Sequence, residues 1–238
     1  MVFSEISWVV EKKARCTVAN ALENLLFDPA FNENWHMQFS ERVALVYVLS
    51  RIRSEVSIEI GTFLCGSLRP ISAASGHVYT FDIDDRTDPL FSNVSFISGD
   101  SAKTLPPVIE KINELEEELG FILVDGGHEE NAVKNDIANC LQYRPKSRPT
   151  VILMHDSSNP AVRKGIIGAP WAENSHVHVL NLDFVPGLLN DYETMKGQIW
   201  GGFAIALMLP EKRSGGLTVQ APFDHSLSVL MEKSVHSP

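Results

Sequence analysis

Four aspartates, Asp82, Asp100, Asp125 and Asp156, recur through the middle of the chain, each at or just past the end of a short apolar run. Two histidines stand with them: His128, three residues beyond Asp125, and His155, beside Asp156. An imidazole titrates near pH 6.5 and suits a general base. Carboxylates gathered at one rim can bind ribose hydroxyls or a hard cation. Ahead of them runs Val56-Ser-Ile-Glu-Ile-Gly-Thr-Phe-Leu-Cys-Gly-Ser67, an apolar run followed by two glycines. This order of strand, glycine turn and helix start is the shape of a nucleotide-cofactor loop. Gly61 sits where a strand must turn sharply, Ser67 is a candidate N-cap, and Pro70 falls in the first helical turn. The acids of His77-Val-Tyr-Thr-Phe-Asp-Ile-Asp84 lie about 20 residues beyond the loop, where an acid can bond a ribose.

The elements that must position these residues alternate. Strands are expected at 56–60, 77–83, 94–98, 121–125 and 150–155, and helices at 67–75, 105–119 and 129–142. In the second helix Pro106-Pro107 mark the start, and Ile109, Ile112, Leu115 and Leu119 face inward opposite a glutamate-rich side. In the third, Val133, Ile137 and Leu141 repeat every four residues. Apolar strands between amphipathic helices predict a doubly wound, mostly parallel α/β sheet covered on both faces. Ligands of such sheets bind at the carboxyl ends of the strands, which is where the four aspartates fall. Beyond residue 160, Val177–Leu182 and Gly201–Pro210 predict two more strands, an antiparallel pair at one side of the sheet. Residues 211–238 read as a loose tail or an arm for a partner subunit. Ahead of the sheet, a helix through Ser40, Glu41, Val43, Val46, Tyr47 and Ile52 leads into the first strand. Residues 1–39 form a helical cap, in which Val18, Leu22 and Leu26 share a face. Phe27, Phe31, Trp35 and Phe39 recur every four residues, as a packing stripe or as a lid over a pocket.

The chain resembles class I S-adenosylmethionine-dependent methyltransferases, in particular small-molecule O-methyltransferases of the sugar- and antibiotic-tailoring type. Glu59-x-Gly61-x-x-x-x-Gly66-Ser67 looks like their first motif and Asp82 like their ribose acid. Gly99-Asp100-Ser101 looks like their adenine-side segment. Val124-Asp-Gly-Gly-His128 and Met154-His-Asp156 look like the ends of their fourth and fifth strands. The resemblance implies a Rossmann-like sheet of seven strands with an antiparallel last strand, spanning 40–210. It implies that Glu59, Gly61, Thr62, Gly66, Ser67, Asp82, Asp100, Ser101 and Asp125 hold S-adenosylmethionine. Transfer to a hydroxyl also needs a base, for which His128 is the candidate and His155 a rival, with Asp125 beside it. The resembling metal-dependent enzymes place one acid after strand four and a ligand pair after strand five. Asp125 and Asp156 match two of these positions, His155 departs from the third, and Asn159 offers a further oxygen for Mg²⁺.

Composition bounds the rest. The formal net charge is −10 over 238 residues, a poor prior for binding nucleic acid. Cys16, Cys65 and Cys140 are odd in number and far apart, as expected of free thiols in a cytoplasmic protein. No apolar run approaches the ~20 residues of a membrane span. The expected partners are a small-molecule hydroxyl acceptor and further copies of the chain, as a homodimer or higher homo-oligomer. Two other readings stay open at this point: an NAD-dependent oxidoreductase on a similar sheet, weakened by the missing third glycine of the dinucleotide fingerprint, and a non-catalytic module that keeps the cofactor fold.

Overall fold

The computed structural model describes residues 35–52, 54–84 and 91–235. Most of the expected helical cap, including Val18, Leu22, Leu26, Phe27 and Phe31, lies outside these residues, as does Cys16.

Helix α1 (Phe39–Ile52) leads into β1 (Ser54–Ile60), α2 (Leu68–Ala73), β2 (Ser75–Asp82), β3 (Val94–Ser98) and α3 (Ser101–Glu114). Then follow β4 (Leu119–Val124), α4 (Glu130–Cys140), β5 (Thr150–His155), α5 (Pro160–Gly168) and β6 (Val177–Val185). A short hairpin of β7 (Leu188–Leu189) and β8 (Ile199–Trp200) precedes β9 (Phe203–Met208), β10 (Thr218–Gln220) and α6 (Asp224–Lys233). The large sheet has the order β10-β6-β9-β5-β4-β1-β2-β3. Every pairing is parallel except those of β9, which runs antiparallel to β5 and β6. The sheet therefore has eight strands where seven were expected. The extra one is β10, which joins the outer edge by pairing with β6. Its three residues are all exposed, so no apolar alternation marked it in the sequence. The stretch expected as a tail also carries α6, tied to the core where Phe223 N–H donates to Asp183.

Side chains along the strands alternate between two apolar cores. Ile122, Val124, Ile152 and Met154 pack with residues of α3, α4 and α5 on one face. Phe121, Leu123 and Leu153 pack with Leu45, Leu49, Leu68 and Ile71 of α1 and α2 on the other. That alternation, with helices on both faces, is why a parallel sheet here is stable.

Two helices differ from expectation in ways that matter below. Helix α3 begins at Ser101, not at the prolines, because Asp100 caps it by accepting from Ala102 N–H. Pro106 and Pro107 lie inside it, and Leu115, expected to face inward, is exposed just past its end. Helix α1 buries Glu41, Leu45, Val48 and Leu49, while Val43 and Tyr47 face outward. Apolar residues occur all around this helix, so their pattern did not select a face. Among the described residues no helix is long and apolar enough to cross a membrane.

Candidate functional site

The strand register assembles the site. Ile60 of β1 pairs with Phe81 of β2 and Val124 of β4, and Val124 pairs with Met154 of β5. The next residue on each strand, Gly61, Asp82, Asp125 and His155, thus emerges at one rim of the sheet. The backbone ladder continues one step past the strands, with Gly61 N–H donating to Phe81 O and Asp125 N–H to Ile60 O, both at 2.8 Å. Strand order changes direction around β1, which places this rim at the switch point where open α/β sheets bind ligands.

The loop after β1 is built without slack. Gly61 has φ +94°, and a Cβ there would lie 2.0 Å from the Asp125 carbonyl oxygen, so no other residue fits. Phe63 and Cys65 also take left-handed backbone angles. Asp82 accepts from Phe63 N–H at 2.7 Å, which fastens the loop to the end of β2. The side chains of Glu59 and Thr62 turn inward. Glu59 is fully buried, and its two oxygens meet the hydroxyls of Ser67 at 2.6 Å and Thr80 at 2.7 Å. Burial pushes its carboxyl up to about 8, so it is protonated at neutral pH. Thr62 Oγ1 lies 2.6 Å from Thr80 Oγ1 in the same network. Ser67, expected as an N-cap, makes no side-chain cap and donates to Glu59 instead. Ser101 Oγ donates to Asp136 Oδ1 at 2.6 Å, and burial raises that carboxyl to about 6. Sequence reasoning passed over Asp136, whose only signal is a polar residue on the buried face of α4.

Beyond β4 and β5 the acids and histidines converge. Asp125, His128 and Asp156 offer ligand atoms that all lie within 4.8 Å of one another. His128 Nε2 lies 3.1 Å from Asp156 Oδ2, and half of the His128 side chain remains exposed. The bond to Asp156 raises the imidazole above its ordinary value. The His128 ring also meets Trp200 edge to face, with centroids 5.1 Å apart. Asp156 has φ +54°, an uncommon angle for an aspartate, and its Oδ1 accepts from Gly201 N–H at 2.6 Å. His155 is buried between three carboxylates: Nδ1 lies 2.8 Å from Asp125 Oδ1 and 3.4 Å from Asp156 Oδ2, and Nε2 lies 3.3 Å from Glu41 Oε2. Burial alone would lower this imidazole, but Asp125 and Asp156 hold it well above its usual range, as an imidazolium. Burial pushes Asp125 up, whereas His155 keeps Asp156 below the usual carboxylate value in spite of its burial.

Asn159 does not join this group through its oxygen. Its Oδ1 caps α5 by accepting from Ala161 N–H at 3.0 Å, and its Nδ2 donates to Ile199 O. Glu41 was not anticipated, because an acid in the first turn of a helix reads as an ordinary N-terminal charge.

Residues 58–157 match a family described as a methyltransferase domain. No curated protein matches the chain. Solved structures with a similar fold include an O-methyltransferase from Bacillus cereus in complex with S-adenosylhomocysteine, at 14% identity, 82% coverage of this chain, 89% of that one and TM-score 0.49. An O-methyltransferase from Streptomyces achromogenes involved in tomaymycin synthesis, in complex with S-adenosylmethionine, aligns at 13% identity over 74% and 82% of the two chains, TM-score 0.48. An rRNA methylase from Streptococcus thermophilus aligns at 12% identity over 73% and 98%, TM-score 0.47. The matched family segment is less than half of the chain, yet it runs from the strand that opens the cofactor loop through Asp82, Asp125 and His128 to Asp156. Over residues 58–157, then, the chain is similar to a methyltransferase domain.

Proposed function

We propose that this enzyme methylates a hydroxyl oxygen of a small molecule, a sugar or a glycosylated natural product, with His128 as general base. The observation that carries the reading is the 3.1 Å contact between His128 Nε2 and Asp156 Oδ2 at the carboxyl rim of the sheet. That contact fixes the proton of neutral His128 on Nε2 and leaves Nδ1 as the acceptor. Asp156 also makes the imidazole more basic. When bound, S-adenosylmethionine supplies an electrophilic methyl carbon. The loop from Gly61 to Gly66 would hold its methionine part through backbone groups, Asp82 its ribose, and Asp100 with Ser101 its adenine side. His128 Nδ1 takes the hydroxyl proton as the oxygen forms its bond to the methyl carbon, and Asp156 stabilises the resulting imidazolium. S-adenosylhomocysteine would be the leaving group and the methyl ether the product. The net charge of −10 argues for a small acceptor over a nucleic acid.

The convergence of Asp125, His128 and Asp156 favours a second reading of the same rim. Two carboxylates and an imidazole fit a divalent cation, and the imidazole suits Mn²⁺ or Zn²⁺ better than Mg²⁺. Such an ion would lower the pKa of the acceptor hydroxyl, and His128 would then be a ligand and not the base. Methyl transfer from labelled S-adenosylmethionine to a panel of sugars and glycosylated natural products, with Mg²⁺, with Mn²⁺ and with EDTA, tests both. Turnover that survives EDTA supports the base. Turnover abolished by EDTA and restored by metal supports the ion. No transfer to any hydroxyl acceptor, with or without metal, contradicts both.

A further inference from the structure

Glu41 lies on α1, ahead of the segment that matches the methyltransferase family, and Trp200, Gly201 and Gly202 lie beyond it. The two meet over the rim. Glu41 is buried, with Oε1 accepting from Gly202 N–H and Oε2 from Gln38 N–H, each at 2.5 Å, and with Oε2 also facing His155 Nε2 at 3.3 Å. Two amide donors and one imidazole nitrogen thus meet one carboxylate. The adjacent Gly201 N–H is held by Asp156, the same carboxylate that orients His128. Glu41 and Asp156 therefore grip consecutive amides of one turn. Both glycines of that turn have positive φ, and a Cβ on Gly201 would lie 2.5 Å from Glu41 Oε1. The residue before the turn is Trp200, whose ring rests against His128.

We infer that Glu41 is a positioning residue that fixes the Trp200–Gly202 turn and, through it, the place of the Trp200 ring against His128 on the acceptor side of the site. The inference rests on the proposed role of His128 for its meaning in catalysis, but its geometry stands apart from that role. A buried carboxylate that served only stability would need its donors satisfied and nothing more. Here all three partners belong to groups at the rim: the start of α1, His155 beside Asp125, and the turn that carries Trp200. Glu41 bonds the Gly202 amide and faces His155, so its effect on the His128–Trp200 contact passes through the turn or through His155.

The test compares wild type with Glu41→Gln, using the ring-to-ring nuclear Overhauser cross-peak between His128 and Trp200 in the ligand-free chain. The glutamine retains one acceptor oxygen for the two amides and loses the negative charge that faces His155. The expected result is loss of the cross-peak, together with a shift of the Gly202 amide proton, in a chain that still unfolds cooperatively. A cross-peak of wild-type intensity in the folded variant overturns the inference, even if the melting temperature falls, because that pattern is stability alone. Gly201→Ala is the second variant, since its methyl group enters the Glu41 carboxylate from the other side. It must show the same loss, and retention there also overturns the inference. Binding of S-adenosylhomocysteine is measured in parallel. Its absence in wild type would remove the proposed function and leave the cross-peak result to decide the role of Glu41.

Discussion

His155 Nδ1 lies 2.8 Å from Asp125 Oδ1, which joins the last residue of β5 to the residue that follows β4. The imidazolium ties the carboxylate after β4 to Glu41 of α1 and leaves Asp156 in contact with His128. One buried cation thus balances a cluster that would otherwise set three carboxylates together at the rim of the sheet.

Replacing that cation should be costly. His155→Gln leaves Glu41, Asp125 and Asp156 without their shared positive partner, and breaking a buried ion pair costs about 3–5 kcal/mol. Chemical denaturation at pH 7 should show a loss of that order. A loss under about 1 kcal/mol would mean that His155 is neutral in the folded chain.

His128→Ala should lower methyl transfer by about 10²–10⁴-fold and leave affinity for S-adenosylhomocysteine unchanged. The base works when neutral, so transfer should rise with pH through a value above the ordinary imidazole 6.5, because Asp156 raises it. Asp156→Asn should move that limb to lower pH. Steady-state rates between pH 5 and 9 check both, and a limb that stays in place in Asp156→Asn would separate the two residues.

Glu59 gives a pH effect on stability with a definite sign. Its carboxyl titrates near 4.5 when unfolded and is pushed up to about 8 when folded. Between these values the folded chain holds the extra proton, so this group's contribution is present in full below the lower value and is lost as pH rises through the upper one. Hydroxyls can donate or accept, so Ser67 and Thr80 can serve a glutamine as well as a carboxylic acid. Glu59→Gln should therefore match wild type within about 1 kcal/mol at pH 5 and exceed it at pH 9. Denaturation curves at the two pH values that show the variant weaker at pH 9 would contradict the assignment.

Gly61→Ala should not give a stable chain. Its methyl group would enter the Asp125 carbonyl at 2.0 Å, on a backbone at φ +94°. The expected result is loss of the folded, soluble protein, or a melting temperature lowered by more than an ordinary loop substitution produces. A wild-type melting temperature would show that β1 and β4 can separate at this rim without penalty.

Much of this was legible because strand ends follow from local pattern. The apolar runs before Gly61, Asp82, Asp125 and Asp156 predict strands, parallel pairing brings their ends to one rim, and the acids follow. Whether a polar side chain at such an end faces the ligand or the core is not local information. Glu59 and Thr62 face inward because Ser67 and Thr80, distant in sequence, meet them there. Asp100 doubles as a helix cap, which the prolines at 106 and 107 concealed by marking a later start. Glu41 was hidden for a different reason: its partners are Gly202 and His155, 161 and 114 residues further on, and no periodicity within α1 points to them. The edge strand β10 is too short and too exposed to leave a hydrophobic pattern.

Isothermal titration of the wild-type chain with S-adenosylhomocysteine tests the central claim most directly. The loop from Gly61 to Gly66, Asp82 and Ser101 should bind it in the micromolar range with one site per chain. Absence of measurable binding, with and without a divalent cation, would contradict the methyltransferase account.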